Sequence, residues 1–169
     1  FVYVDLSNLF ELERDCYRNI IDCIIEPNEK LFESIEDDIS KTREKELPPH
    51  KEYSKCLRII LSYFKGDIVI VLDEIDALRS ATYSDHIFAQ VRSNYFSRTN
   101  FPVFEKLTYI LSGVIEPSEL IKDRNKSPFN IGDKIYLDDF NIDEHCIFIK
   151  KSKLEISDEI SKEIFLWTN

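Results

Sequence analysis

The sequence predicts an α/β fold built on a parallel sheet, and three stretches carry that expectation. Residues 67–76, DIVIVLDEID, run five consecutive apolar residues, Ile68 to Leu72, directly into Asp73 and Glu74. An uninterrupted, mostly β-branched run of this kind reads as a strand buried on both faces, as in a sheet covered by helices. Upstream, Tyr53, Cys56, Leu57, Ile60, Leu61 and Phe64 recur at helical spacing. A helix therefore hands the chain straight into that strand, as the crossover of a βαβ unit does. Downstream, Leu107 to Leu111 (LTYIL) read as a further strand ending in Ser112 and Gly113.

Taken in order, Phe1 to Val4 are aromatic or β-branched and strand-like from the first position, and Asp5 ends the run. A chain that opens inside a strand is expected to be cut from something longer. Ser7 or Asn8 can cap the next helix, whose Leu9, Leu12, Cys16, Ile20, Cys23 and Ile24 share a face until Pro27 stops it. Residues 28–46 read as a solvated amphipathic helix with Leu31, Phe32, Ile35 and Ile39 as its apolar stripe, broken by Pro48 and Pro49. The helix from Glu52 is expected to close at Gly66, a suitable C′ residue. Ser84 and Asp85 start a helix with Ile87, Phe88, Val91, Tyr95 and Phe96 facing in, ending before Pro102. Pro117 and Ser118 open a short helix, and a loop then leads to a last short strand, Ile135 to Leu137. Asn141 caps a helix through Lys150, residues 156–167 form one more, and the chain stops at Asn169 without a closing signal, as though trimmed.

Composition bounds the function classes. At 169 residues the chain fits one domain, and 43% apolar with 12% aromatic residues is enough to fold. A net charge of −10 argues against gripping nucleic acid through the whole surface, and nothing in the sequence points to nucleic acid directly. Cys16, Cys23, Cys56 and Cys146 show no CxxC pairing and no nearby His at zinc spacing. Cys16 and Cys23 read as small core residues of one helix face. No apolar run approaches the roughly 20 residues of a membrane span, and the first residues show no signal-peptide pattern. A reducing, cytoplasmic setting without membrane contact is the expectation.

The chemistry sits at the carboxyl end of the DIVIVLDEID strand, where open α/β sheets place their ligands. Two acids emerging there form the pattern of a Walker B strand, in which one reaches Mg²⁺ and the next orients a water toward a phosphoryl group. The plainer alternative is a strand whose acids start a solvated loop. A metal-dependent nuclease built on Asp73, Glu74 and Asp76 would want a basic groove and an added His or Lys, which this region lacks.

Together, IVIVLDEIDAL at 68–78, LTYILSGVIEPSELIKD at 107–123 and SPFNIGDKIYLDDF at 127–140 resemble the core of a P-loop ATPase of the AAA+ or STAND type. The likeness is closest to the bacterial AAA-like domains of signalling and conflict-type multidomain proteins, and covers nearly the whole chain. It implies a three-layer fold with sheet order 5-1-4-3-2, an ATPase core over residues 1–140, and the start of a helical lid over 141–169. It implies ATP and Mg²⁺ as cofactors. Asp73 would hold Mg²⁺, Glu74 would polarise the attacking water, and Asp76 would either shape the same acidic mouth or cap the next segment. Ser112 stands where such ATPases keep a small polar sensor, or is a plain strand-end serine. Arg124 would present a guanidinium to a phosphate or lie on the surface. Arg92 and Arg98 fit interface or salt-bridge roles. Partners would be the nucleotide, the other domains of the parent chain, and further copies, since such relatives commonly assemble when nucleotide is bound.

The departure is the phosphate cradle. None of Gly66, Gly113 and Gly132 begins G-x-x-x-x-G-K-[ST], so these residues contain no Walker A. In the resembled fold that motif follows a first strand lying between the strands at 107–111 and 135–137. Its absence would leave roughly 10 Å between neighbours that pair at about 4.8 Å. Residues 1–169 alone are therefore expected to be inactive and incompletely folded, as the Mg²⁺ and hydrolysis half of an ATPase switch. The alternative is a nucleotide-independent interaction module on a degenerate scaffold of the same kind.

Overall fold

The computed structural model describes residues 1–8, 10–115, 117–121, 123 and 127–168. Three strands, β1 (Val2–Asp5), β2 (Ile68–Asp73) and β3 (Leu107–Leu111), form a parallel sheet in the order β1-β2-β3. The register pairs Val2 with Ile70 and Asp5 with Asp73 on one side, and Ile68 with Leu107 and Leu72 with Leu111 on the other. Parallel neighbours need long crossovers, and the helices α1 (Glu13–Ile25), α2 (Glu29–Arg43) and α3 (Pro49–Tyr63) lie between β1 and β2. Helix α4 (Ser84–Phe96) lies between β2 and β3, and the short α5 (Pro117–Leu120) follows β3.

The helices cover one face of the sheet. Val4, Leu6, Ile68, Ile70, Leu72 and Leu107 are buried there with Leu57, Ile60 and Leu61 of α3, each such side chain stabilising by about 2 kcal/mol. Tyr17 of α1 stacks on Tyr53 of α3. Tyr109 of β3 meets the Tyr53 hydroxyl at 2.9 Å and accepts from Asn94 of α4 at 2.8 Å. Burial holds both phenols neutral, pushing Tyr109 up to about 12. On the opposite face Val69 and Val71 are only half-buried, and Tyr3 and Ile110 are exposed. The expectation of a strand buried on both faces is thus corrected: β2 alternates, because the helices of this part of the chain, α3 foremost, pack on one side of it.

Four local expectations are also corrected. Helix α1 begins after Leu12 rather than at Ser7 or Asn8, because Asp5 accepts from the Ser7 amide and turns the chain out of β1 first. Helix α3 ends at Tyr63, and no glycine has positive φ. The Lys106 ammonium, which donates to the carbonyls of Leu61 and Phe64, does what Gly66 was expected to do. Tyr95 and Phe96 face outward, their rings lying under the guanidinium groups of Arg98 and Arg92. The inward positions belong to Gln90 and Asn94, which join the Tyr109 network. Leu31 is exposed, whereas Phe32, Ile35 and Ile39 are buried as expected. Cys16 is buried and Cys23 packs at the core's margin.

By contacts the chain divides into two units, Phe1–Gly132 and Asp133–Asn169. In the second, α6 (Ile142–Ser152) and α7 (Asp158–Thr168) pair through His145, whose Nε2 meets the Ser161 carbonyl at 2.9 Å. Asn141 caps α6 in a reciprocal box with Glu144, as its sequence position predicts. The strand expected at Ile135 to Leu137 does not form. Ile135 is 85% exposed and Leu137 93%, with no ladder partner among the described residues.

Candidate functional site

Asp73 is the last residue of β2, the middle strand, and is gripped from both neighbours. Its carbonyl accepts from Leu6 beyond β1, while Ser112 continues the pairing of β3 by donating its amide to Leu72 at 2.9 Å. The side chain is held from the β1 side. Tyr3 donates its hydroxyl to Asp73 Oδ2 at 2.5 Å. The Tyr3 bond and then the Ser112 hydroxyl hold the Asp73 carboxyl below the usual carboxylate range. The reciprocal effect pushes the Tyr3 phenol up to about 12, chiefly through its bond to Asp73. Asp5, paired with Asp73 in register, is also held low by the hydroxyl and amide of Ser7.

Glu74 follows in the left-handed region, φ 55° and ψ 39°, and heads the 3₁₀ segment Ile75–Ser80. A non-glycine residue there costs about 1–2 kcal/mol, and such outliers cluster at functional sites. The reversal takes the chain out of the sheet and leaves the Glu74 side chain in solvent. Asp76 turns toward the chain after β3, where Oδ1 accepts from the Val114 amide at 3.2 Å. Ile75 donates to the Ser112 carbonyl at 3.1 Å, so the β2 and β3 exits are tied together.

Gly113 makes that approach feasible. A Cβ there would lie 2.7 Å from Asp76 Oδ1 and 2.8 Å from Ile75 Cγ1. Gly113→Ala is expected to force these exits apart at about 1–3 kcal/mol. Amide exchange at Ile75 in the full-length protein should then quicken by about tenfold or more, and an unchanged rate would mean the loop absorbs the methyl.

Of the residues singled out from sequence, the structure brings together Asp73 and Ser112, with Glu74 and Asp76 on the adjoining turn. Arg124 lies outside the described residues. Arg92 donates to the Ser127 carbonyl and to Asn130, and Arg98 to the carbonyls of Phe104 and Leu107, so both secure the backbone. Tyr3 and Asp5 were missed. Their signal is period two along β1, which puts both on the face that carries Asp73.

No group of three or more His, Cys, Asp or Glu able to hold a metal occurs among the described residues. A single ionised, hydrogen-bonded carboxylate still fits a hard cation whose other ligands are waters and substrate oxygens. No helix of the described residues is long and apolar enough to cross a membrane.

Residues 34–166 match the model of a family described as the AAA-like domain. The chain belongs to the AAA-like domain family. That membership makes it a nucleotide-related, ATPase-type domain. An uncharacterised WD repeat-containing protein from Synechocystis is 36% identical over 132 residues, 75% of this chain. The AAA-like chain spans 11% of that relative's length. No solved structure matches it.

Proposed function

We propose that this AAA-like chain supplies the cation-holding and water-orienting half of an ATP-dependent switch of the P-loop class, with its phosphate-binding loop contributed from outside residues 1–169. The observation that carries this reading is the convergence on Asp73. An acid at the end of the middle strand that accepts from Tyr3 of the neighbouring strand and is held below the usual carboxylate range, followed by an exposed acid in a left-handed turn, is suited to hold Mg²⁺ and aim a water. The run β1-β2-β3 accords with positions 2, 3 and 4 of the 5-1-4-3-2 order. In this reading Asp73 holds Mg²⁺, Glu74 orients water, Ser112 senses the phosphate end through Asp73, and Arg124 supplies a cation. Asp76 acts by fixing the loop after β3. Residues 141–169 begin a helical lid, and a cytoplasmic protein assembling with further copies fits the same class.

The test is ATP binding by the full-length protein, with and without Mg²⁺. Wild type should bind ATP more tightly with Mg²⁺, and Asp73→Asn should lose that difference. If full-length protein binds no ATP, the switch reading fails. The alternative, a nucleotide-independent interaction module, is favoured by the apolar side chains that α6 and α7 expose, Phe148 and Trp167 among them.

A further inference from the structure

We propose that Tyr3 is a positioning residue for the Asp73 carboxylate, holding one side of it so that its remaining acceptor sites are presented to a divalent cation. This rests on the reading of Asp73 as a cation ligand and extends it to a residue on another strand. Tyr3 stands two positions before Asp5, and Asp5 is the register partner of Asp73. Residues two apart share a face, and diagonal neighbours across paired strands lie about 7–8 Å apart, within reach of an aromatic side chain. The phenol spans that diagonal and donates to Oδ2.

The carboxylate is thereby fixed on one side. An ionised carboxylate offers about four lone-pair sites, so the phenol leaves capacity for a cation. Outer hydrogen bonds of this kind orient a metal ligand, and their loss typically weakens metal binding by about 10–100-fold. Packing does not account for Tyr3, whose side chain is 62% exposed. Its ring lies along the open face of the sheet and its hydroxyl reaches the one acid at the end of the middle strand.

The experiment uses full-length protein, Mn²⁺ alone as the probe, and electron paramagnetic resonance to count bound ion. Tyr3→Phe keeps the ring and removes the donor. The Mn²⁺ concentration for half-saturation should rise about tenfold or more, while ATP affinity measured in a chelator stays at the wild-type value. Unchanged Mn²⁺ binding by Tyr3→Phe, alongside its loss in Asp73→Asn, would overturn the role of Tyr3 and leave Asp73 a ligand. Tighter Mn²⁺ binding would overturn it as well, since the phenol would then compete with the ion. If Asp73→Asn binds Mn²⁺ as wild type does, the ligand reading fails and the proposal with it. A second measurement guards against a misfolded variant. With 3-fluorotyrosine placed at position 3 alone, Mn²⁺ should broaden its fluorine resonance over the range that saturates the first signal, and a sharp resonance there would overturn the proposal.

Discussion

Glu74→Gln in the full-length protein is expected to lower ATP turnover by about 10²–10⁴-fold while Mg²⁺-ATP still binds. The substitution keeps the length and shape of the side chain and removes the charge that would polarise a water. The Asp73 carboxylate, with its bond to Tyr3, is untouched, so the cation site should survive. Stability should barely change, because the Glu74 side chain is exposed and the left-handed turn is set by the backbone. Phosphate release measured against calorimetric binding separates the two effects. Unchanged turnover would remove Glu74 from the mechanism.

Glu52→Ala is expected to produce the largest loss of stability. Glu52 is only 3% exposed, yet it carries a carboxylate, and it is enclosed by charge. Arg14 and Arg18, one turn apart on α1, both donate to it, Arg18 from Nε at 2.6 Å. The same arginines reach on to the carbonyls of Leu47 and Arg43, so one acid ties α1, α3 and the end of α2 together. Removing one partner of a buried pair leaves uncompensated charge and costs about 3–5 kcal/mol, with the lower end expected here because both arginines retain access to water. Amide exchange across α1 and α3 should accelerate by about 100-fold, the equivalent of roughly 3 kcal/mol. Exchange within a few-fold of wild type would show that the arginines find water at little cost. Replacing Arg14, Arg18 and Glu52 together by apolar residues should be far milder than the single change, since no unpaired charge remains.

What could be read from residues alone follows from where the information lies. β2 and β3 were legible because their apolar runs are bounded sharply, and α6 because Asn141 and Glu144 write a cap into four residues. Faces were harder. On α4 the aromatic residues suggested an inward side that includes Tyr95 and Phe96, but arginine can cover a ring in solvent as well as a core can. Gln90 and Asn94 went inside because β3 offers a buried hydroxyl, a partner that periodicity cannot see. Ile135 to Leu137 has strand-like composition but pairs with no strand among the described residues, and composition alone makes no hydrogen bonds. At the site, Asp73, Glu74 and Ser112 were marked by their positions at strand ends. Tyr3 needed the register, which brings it to an acid 70 positions away in the chain. Glu52 left one clue, a charge four residues before Cys56 on the inward stripe of α3.

That same register sets a timetable for synthesis. Val2 pairs with Ile70, so when β1 leaves the ribosome its neighbour has not been made. At roughly 5–20 residues per second, β1 waits about 3–14 s, while α1, α2 and α3 emerge. The helical layer can gather around Glu52 in that interval, but the sheet cannot. Asp5, the one charge in the VYVD strand, is then the feature that discourages a waiting edge from pairing with another nascent chain.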